Sequence, residues 1–281
     1  MISIRKMMEE DIPAGLRLCR AAGWNQVAGD WKQFLDLDQG DVFVAVKEDV
    51  VVGTVSTMRY DNRFAWIGMM LVDPEQRRQG IAASLMEHAI AHLGEVPCIR
   101  LDATPMGREV YLHFDFKEEY VLNRMIAEKV NPDQPVVSAA RRMTAAGLSP
   151  VFAWDREVFG ANRHFLLEQY WKNAAQMAFI ALENDILTGY CFGKKGFAFD
   201  SIGLLVAKDA TIAKQLVTAI ALAQTANPLL IDVPEIHIEF IAWLESLGFR
   251  QQRQLIRMYR GDHRWRGFPA LQWSILGPAF G

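Results

Sequence analysis

At 281 residues the chain exceeds one average domain, and roughly 100–200 residues per domain sets a prior of two. With 51% hydrophobic and 22% charged residues it can bury a sizeable core, which excludes a disordered chain. A net charge of −3 argues against nonspecific nucleic-acid binding, and three distant cysteines (Cys19, Cys98, Cys191) without a CxxC pair offer neither a disulfide framework nor a zinc site and fit a reducing compartment.

In chain order, Ile2–Arg5 reads as a strand. Asp11–Ala22 reads as a helix with an acidic cap and Pro13 in its first turn. Trp31–Leu37 is a short helix, and strands follow at Phe43–Val46, Val50–Met58 and Phe64–Val72. A helix covers Ile81–Leu93, a strand Ile99–Ala103, a helix Gly107–His113 and a strand Glu118–Arg124. The mixture, with one strand–helix–strand crossover from Phe64 to Ala103, predicts an α/β or α+β fold with a mostly antiparallel start. The longest apolar stretch, Leu216–Ala226, is interrupted by Thr218, Gln224 and Thr225 and is too short to span a bilayer. Arg5, Lys6, Glu9, Glu10 and Asp11 stand where a signal peptide needs its apolar core, so the expected location is cytoplasmic, with no membrane partner.

The chain repeats itself. Phe43-Val-Ala-Val-Lys-Glu-Asp49-Val-Val-Val-Gly53 resembles Phe179-Ile-Ala-Leu-Glu-Asn-Asp185-Ile-Leu-Thr-Gly189, each a strand, a tight turn at Asp and a strand. Ile67–Val72 resembles Ile202–Val206. Asp102 lies 12 residues after Ile90, as Asp232 does after Ile220, and Phe116 precedes Arg124-Met125 by the spacing of Phe249 before Arg257-Met258. Four pairs in one order indicate duplication. We therefore expect a first domain over residues 1–128, a linker over 129–137 around Asn131-Pro-Asp-Gln-Pro135, and a second domain over 138–281.

The segment Met70-Leu71-Val72-Asp-Pro-Glu-Gln-Arg77-Arg78-Gln79-Gly80-Ile81-Ala82-Ala83-Ser84 runs from a buried strand through a polar turn into a helix start. Helix N-termini leave backbone N–H groups unpaired and carry partial positive charge, which suits phosphate. Gly80 permits close backbone approach, Ala82 and Ala83 keep the entry narrow, and Arg77 and Arg78 add cations. No Gly-Lys-Ser/Thr follows, so it is not a P-loop. An alternative is a plain strand-to-helix turn with two solvated arginines.

Arg77-Arg78-Gln79-Gly80-Ile81-Ala82 resembles the R/Q-x-x-G-x-G/A motif of the GNAT superfamily of N-acetyltransferases. Leu101-Asp-Ala-Thr104-Pro-Met-Gly107-Arg-Glu-Val-Tyr111-Leu-His-Phe-Asp-Phe116 resembles the family's later motif, with Thr104 for the usual Asn, Gly107 for Ala and Asp115 for Gly. Together with Gly23-Trp24-Asn25-Gln26, the pattern is similar to a bacterial tandem group with a diverged second domain, which implies two GNAT-like domains, each a twisted, mostly antiparallel sheet flanked by helices. The resemblance implies acetyl-CoA binding and direct transfer to an amine of a small molecule or peptide in a ternary complex. Pyrophosphate would lie on the amides of Arg77 to Ala82. The strand ending at Val72 would splay from its neighbour, so that backbone groups of Met70 and Val72 face pantetheine and the thioester carbonyl. Tyr111, with Thr104 and Gly107 on its segment, would protonate or hydrogen-bond the leaving thiolate. Trp24, Asn25, Trp31 and Trp66 would line an acceptor pocket under the first two helices, with core packing an equal competitor for each tryptophan. The family often uses a strand glutamate as base, but Phe64–Val72 holds no carboxylate. Asp102 is a candidate base at a strand end, with a structural role as the alternative, because Asp232 matches it in the second half.

The second half is about four residues shorter across the loop, as Val72 to Ile90 is 18 steps and Val206 to Ile220 is 14. Asp209 and the missing glycine suit a diphosphate poorly, and Ile238–Trp243 offers no tyrosine. We expect no second acetyl-CoA site, and a C-terminal domain that walls the cleft. His88 and His92 sit at i, i+4 but lack a third ligand, so a packing face is expected and no metal. Met58, Met69 and Met70 read equally as core or as an adaptable wall, and Arg141-Arg142 reads as a solvated pair. The competing function is a catalytically silent acyl-CoA-binding or scaffolding module. The expected assembly is a monomer or homodimer.

Overall fold

A computed structural model describes residues 2–130, 140–223 and 227–281. Asn131–Pro135 and the stretch 224–226 that ends the apolar run lie outside them. No helix among the described residues is long and apolar enough to cross a membrane.

The elements follow as β1 (Ile2–Lys6), α1 (Ile12–Ala21), α2 (Ala28–Asp36), β2 (Gly40–Lys47), β3 (Val50–Tyr60), β4 (Phe64–Val72), α3 (Ile81–Leu93), β5 (Cys98–Ala103), α4 (Pro105–Leu112) and β6 (Lys117–Ala127). The second half holds β7 (Ala140–Arg142), α5 (Ala145–Phe159), α6 (His164–Ala174), β8 (Ala178–Glu183), β9 (Ile186–Lys194), β10 (Asp200–Ala207), α7 (Ala210–Leu222), β11 (Leu229–Pro234), α8 (Ile238–Ser246), β12 (Arg250–Gly261) and β13 (Gln272–Ser274). Every element expected in the first half is present. One detail differs: the Asp11 carboxylate does not cap α1 but accepts from the Met8 N–H at 2.9 Å and from Arg5 at 2.6 and 2.9 Å. The bidentate guanidinium outcompetes the helix amides for it.

Two compact units form, and neither is one stretch of sequence. The first takes the chain up to Glu118 with Met258–His263 and Pro278–Gly281; the second takes Glu119–Arg257 with Arg264–Gly277. In the first unit β1–β2–β3–β4 are antiparallel neighbours and β4 runs parallel to β5, with α3 as the crossover. In the second, β11 and β10 are the parallel pair joined by α7, and β9, β8 and β7 continue antiparallel. The far edge of β11 is completed by β6, from Leu229↔Ala127 to Pro234↔Leu122. There Arg124 and Asp232 form a buried bidentate pair at 2.7 Å, and Met125 and Ala127 enter the core of the second unit. In the first unit the end of β12 is held by Asp262 N–H donating to Pro97 O at 2.8 Å. β6 and β12 are matching strands of the two halves, and the end of each crosses over: Glu119–Ala127 joins the second unit and Met258–Gly261 the first, as in an exchange of equivalent elements.

The repeat is exact in backbone detail. Glu48-Asp49 and Asn184-Asp185 turn with φ of 50° and 62° and of 50° and 63°. Such a left-handed pair is the tight turn whose twist matches antiparallel strands. Both hairpins slip register at the same place, after Ala45↔Gly53 and after Ala181↔Gly189. The repeated glycines are there for packing: a Cβ on Gly53 would lie 3.0 Å from Leu85, and one on Gly189 2.5 Å from Ile212, in the helix that crosses each sheet.

Helices α4 and α8 end alike. Phe116 N–H donates to Tyr111 O and Asp115 N–H to Leu112 O, as Phe249 does to Leu244 and Gly248 to Glu245. These are Schellman ends, which need one left-handed residue. Gly248 supplies it at φ 97°, but Asp115 must hold φ 62° with a side chain. Asp115→Gly is therefore expected to stabilise the protein by about 0.5–1 kcal/mol, since removing the left-handed strain outweighs the added chain entropy. Chemical denaturation of the two proteins checks it, and an unchanged or lower midpoint would contradict it.

Candidate active site

Strand β4 departs from regularity where the chemistry is expected. It pairs with β3 at Leu71↔Thr54 and again at Gly68↔Ser56, so Met69 and Met70 oppose the single residue Val55. Met69 is buried with φ 48°, and its carbonyl is captured by Thr54 Oγ1 at 2.7 Å. A left-handed methionine inside a strand is costly, and bulges of this kind collect next to functional sites. On its other side β4 pairs with β5 only at Ala65↔Ile99 and Trp66↔Arg100. Beyond Trp66 the two strands part, and Met70, Leu71 and Val72 run along the opening. The bulge has no signature in the sequence beyond the adjacent Gly68.

From Val72 the chain enters a polar loop. The Asp73 carboxylate accepts from Glu75 N–H at 3.1 Å and from Arg17 at 2.5 Å, and the Arg17 guanidinium holds it below the usual carboxylate range. Lys47 Nζ binds the side-chain oxygens of Gln76 and Gln79 at 2.9 and 3.2 Å. This leaves Arg77, Arg78, Gln79 and Gly80 exposed, with Ile81 buried and Ala82 and Ala83 half-buried. Arg78 and Gly80 take φ of 61° and 79°. Gly80 is the N-cap of α3 and brings no side chain to its first-turn amides. The region beside its Cα is open, with no atom within 4 Å of an added Cβ.

Thr104, Gly107 and Tyr111 form one local unit at the end of β5. Thr104 caps α4 by accepting from Gly107 N–H at 3.1 Å. A side chain at 107 would press on the Tyr111 ring at 3.2 Å. Tyr111 is 9% exposed and tilts against Phe116 at 6.1 Å. Burial pushes its hydroxyl from 10.0 up to about 12.

The candidate acceptor residues separate. Trp24 and Asn25 are half-buried in the loop before α2, which Arg20 clamps through the carbonyls of Trp24 at 2.8 Å and Gln26 at 2.6 Å. Trp31 is fully buried against Gly15. Trp66 is fully buried, and its indole N–H donates to Pro278 O at 3.0 Å. Asp102 is half-buried on β5 and engaged by other groups. His88 and His92 pack edgewise on Phe43, and His92 also bonds Asp41 at 2.8 Å. Arg141 and Arg142 are exposed, the latter over the Phe179 ring.

The second unit builds the same frame with different ends. The loop between β10 and α7 is two residues long, and the Asp209 carboxylate caps α7 by accepting from Ile212 N–H at 3.0 Å. The shared Schellman end places buried Leu244 at the position of Tyr111. Strands β10 and β11 part after Ile202↔Ile231, and β13 then pairs with β10 at Leu205↔Ser274 and Val206↔Gln272. It is held by Trp273 Nε1 to Ala207 O at 2.9 Å, by His237 Nε2 with Gln272 O at 2.9 Å and by Ile275 N–H to Asp232 O at 3.2 Å. Sequence reasoning missed β13, whose three residues carry no period.

An Acetyltransferase (GNAT) family model matches residues 9–114, and an Acetyltransferase (GNAT) domain model matches residues 151–267. The chain is similar to a holothin acyltransferase of Pseudoalteromonas sp. strain SANK 73390, 26% identical over 86% of this chain and 82% of the relative. Among solved structures it resembles a Pyrococcus horikoshii protein assigned as an acetyltransferase, with TM-score 0.82 and 22% identity over 100% of this chain and 96% of the other. It also resembles a tandem GNAT protein from the clavulanic acid biosynthesis pathway, with TM-score 0.66 and 16% identity over 92% of this chain and 98% of the other.

Proposed function

Because the chain is a tandem GNAT protein of the acyltransferase class, we propose that its first unit transfers acetyl from acetyl-CoA directly to an amine, and that its second unit binds no acetyl-CoA. The observation that carries this reading is the contrast between two copies of one template. In one, the helix start is capped only by Gly80 and preceded by exposed Arg77 and Arg78. In the other, Asp209 and β13 take up the matching features with the chain's own atoms.

The residues fit a diphosphate. First-turn amides of Ile81, Ala82 and Ala83 donate to it, the Arg77 and Arg78 guanidinium groups add charge, and the bare Gly80 lets the ligand approach. The parted strands suit an acyl arm laid along Met70–Val72, where a backbone donor stabilises the developing oxyanion. The amine must reach the carbonyl as its neutral form, because its free pKa is about 10. Attack forms the C–N bond and breaks the C–S bond; the nitrogen releases its extra proton to solvent, and the departing thiolate, met by the Tyr111 hydroxyl, takes up one proton to give the CoA thiol. The acceptor is a small-molecule or peptide amine, and holothin, named for the relative, belongs in the first panel.

Calorimetric titration tests the assignment: the intact protein is expected to bind one acetyl-CoA per chain. Arg77→Glu with Arg78→Glu is expected to weaken binding by about tenfold or more, as two charge-assisted contacts are lost. Two equivalents, or affinity unchanged in the double variant, would overturn it. Binding without thiol release across an amine panel would favour a silent acyl-CoA-binding module.

A further inference from the structure

The face of β4 from which an amine must attack is partly covered by the chain's own residues Pro278–Gly281, which belong to the first unit. The faces can be told apart. Gly53 on β3 looks toward Ile81 and Leu85 of α3. Met58 and Trp66, a register pair, lie on the opposite face with Phe34 of α2. An acyl arm that starts at the α3 N-terminus and passes between β4 and β5 exposes its carbonyl to this second face, so the nucleophile arrives there.

Pro278–Gly281 is seated on that face at the point where β4 and β5 part. Trp66 Nε1 donates to Pro278 O at 3.0 Å and Tyr60 OH to Phe280 O at 2.7 Å. The Phe280 ring stacks on Phe34 with centroids 4.6 Å apart and planes at 16°. Gly68 makes this approach possible: a Cβ there would lie 2.8 Å from Ala279 Cα and 2.9 Å from its carbonyl oxygen, which backbone atoms cannot tolerate. Phe280 is 3% exposed and Ala279 9%, so the segment is packed as core. Ser56, the register partner of Gly68, keeps its hydroxyl buried without a hydrogen-bond partner.

We propose that Pro278–Gly281 is the wall that sets how bulky an acceptor amine the first unit takes, with Gly68 and Phe280 as its specificity-determining residues. The inference rests on the acetyl-transfer reading above. A wall made of packed backbone and one stacked aromatic ring rejects by shape, so the amine admitted is slender near its nitrogen.

The test is a series of primary amines of rising bulk beside the nitrogen, followed by thiol release, with wild type, Gly68→Ala, Phe280→Ala and Phe280→Leu. Gly68→Ala displaces Ala279 and Phe280→Ala empties the stacked position. Both are expected to raise the bulky-to-slender ratio of kcat/KM by about tenfold, the scale of one or two methylenes in an apolar pocket. Phe280→Leu, which keeps most of the volume, is expected to retain the wild-type order, and acetyl-CoA affinity is expected to hold in all four. An unchanged amine order in folded, active Gly68→Ala and Phe280→Ala would overturn the wall. No turnover of any amine by wild type would overturn the acetyl-transfer reading itself, and the wall with it.

Discussion

Tyr111→Phe is expected to lower kcat by about 10²–10³, the usual range for losing one fixed hydrogen-bond donor to developing negative charge, with acetyl-CoA affinity nearly unchanged. Thr104 and Gly107 hold the α4 start beneath this side chain, and the Phe ring fills the same space, so the change removes one hydroxyl and little else. The buried position also distinguishes two ways the hydroxyl could act. A thiol has a pKa of about 8.5, whereas burial lifts Tyr111 to about 12. Complete proton transfer from tyrosine to thiolate would then be uphill by roughly 5 kcal/mol at about 1.4 kcal/mol per pH unit. On the proposed reading Tyr111 donates a hydrogen bond to the departing sulfur, and the thiolate takes its final proton from solvent.

The same shift fixes a pH signature. A Tyr111 that stays protonated to about 12 produces no alkaline loss of kcat near 10. Any limb at lower pH belongs to another group and should persist in Tyr111→Phe. For stability the sign is the reverse of a benefit at high pH: the unfolded chain loses this proton near 10.0 and the folded one near 12, so stability from this group declines as pH rises through that window. A kcat profile that loses a limb near pH 10 on substitution would contradict the assignment.

The largest loss of stability is expected in the second unit. Asp155 and Arg163 pair through two bonds of 2.9 Å, and Tyr190 OH donates to Asp155 at 2.8 Å, with all three side chains fully buried. Arg163 also lies 3.7 Å over the Phe159 ring. Asp155→Ala leaves a guanidinium buried without its counter-charge and should cost about 3–5 kcal/mol. Tyr190→Phe, which removes one hydrogen bond, should cost about 1 kcal/mol. Replacing both charges with apolar groups of similar volume, Asp155→Leu with Arg163→Met, should cost less than Asp155→Ala alone, because no buried charge remains. Urea denaturation of the three variants measures the order. An Asp155→Ala loss no larger than that of Tyr190→Phe would show that the carboxylate is not neutralising Arg163.

The elements of the first half were legible because their signals are local. Period-2 runs, the Glu48-Asp49 turn and the glycine before α3 each depend on a few adjacent residues. The repeat was legible because both copies answer the same packing demand, as at Gly53 and Gly189. Asp11 misled because its capping preference is local, while Arg5, six residues away in sequence, offers it two stronger bonds. Trp31 and Trp66 read equally as pocket walls or core, since an indole suits both; both are fully buried, and Trp66 also holds the Pro278 carbonyl.

The sequence by itself determined the template, its duplication and the retention of Arg77, Arg78, Gly80 and Tyr111 in one copy, because these rest on residue identity at fixed spacing. It could not determine which strand completes which unit. β6 and β12 carry nearly the same pattern, and the choice falls to distant contacts such as Arg124 with Asp232. Nor could it show that the C-terminal segment enters both units, β13 beside β10 in one and Pro278–Gly281 over Gly68 in the other. Segments of three or four residues have no period to read, and what seats them is the gap left where two parallel strands part, which exists only once the sheets have formed.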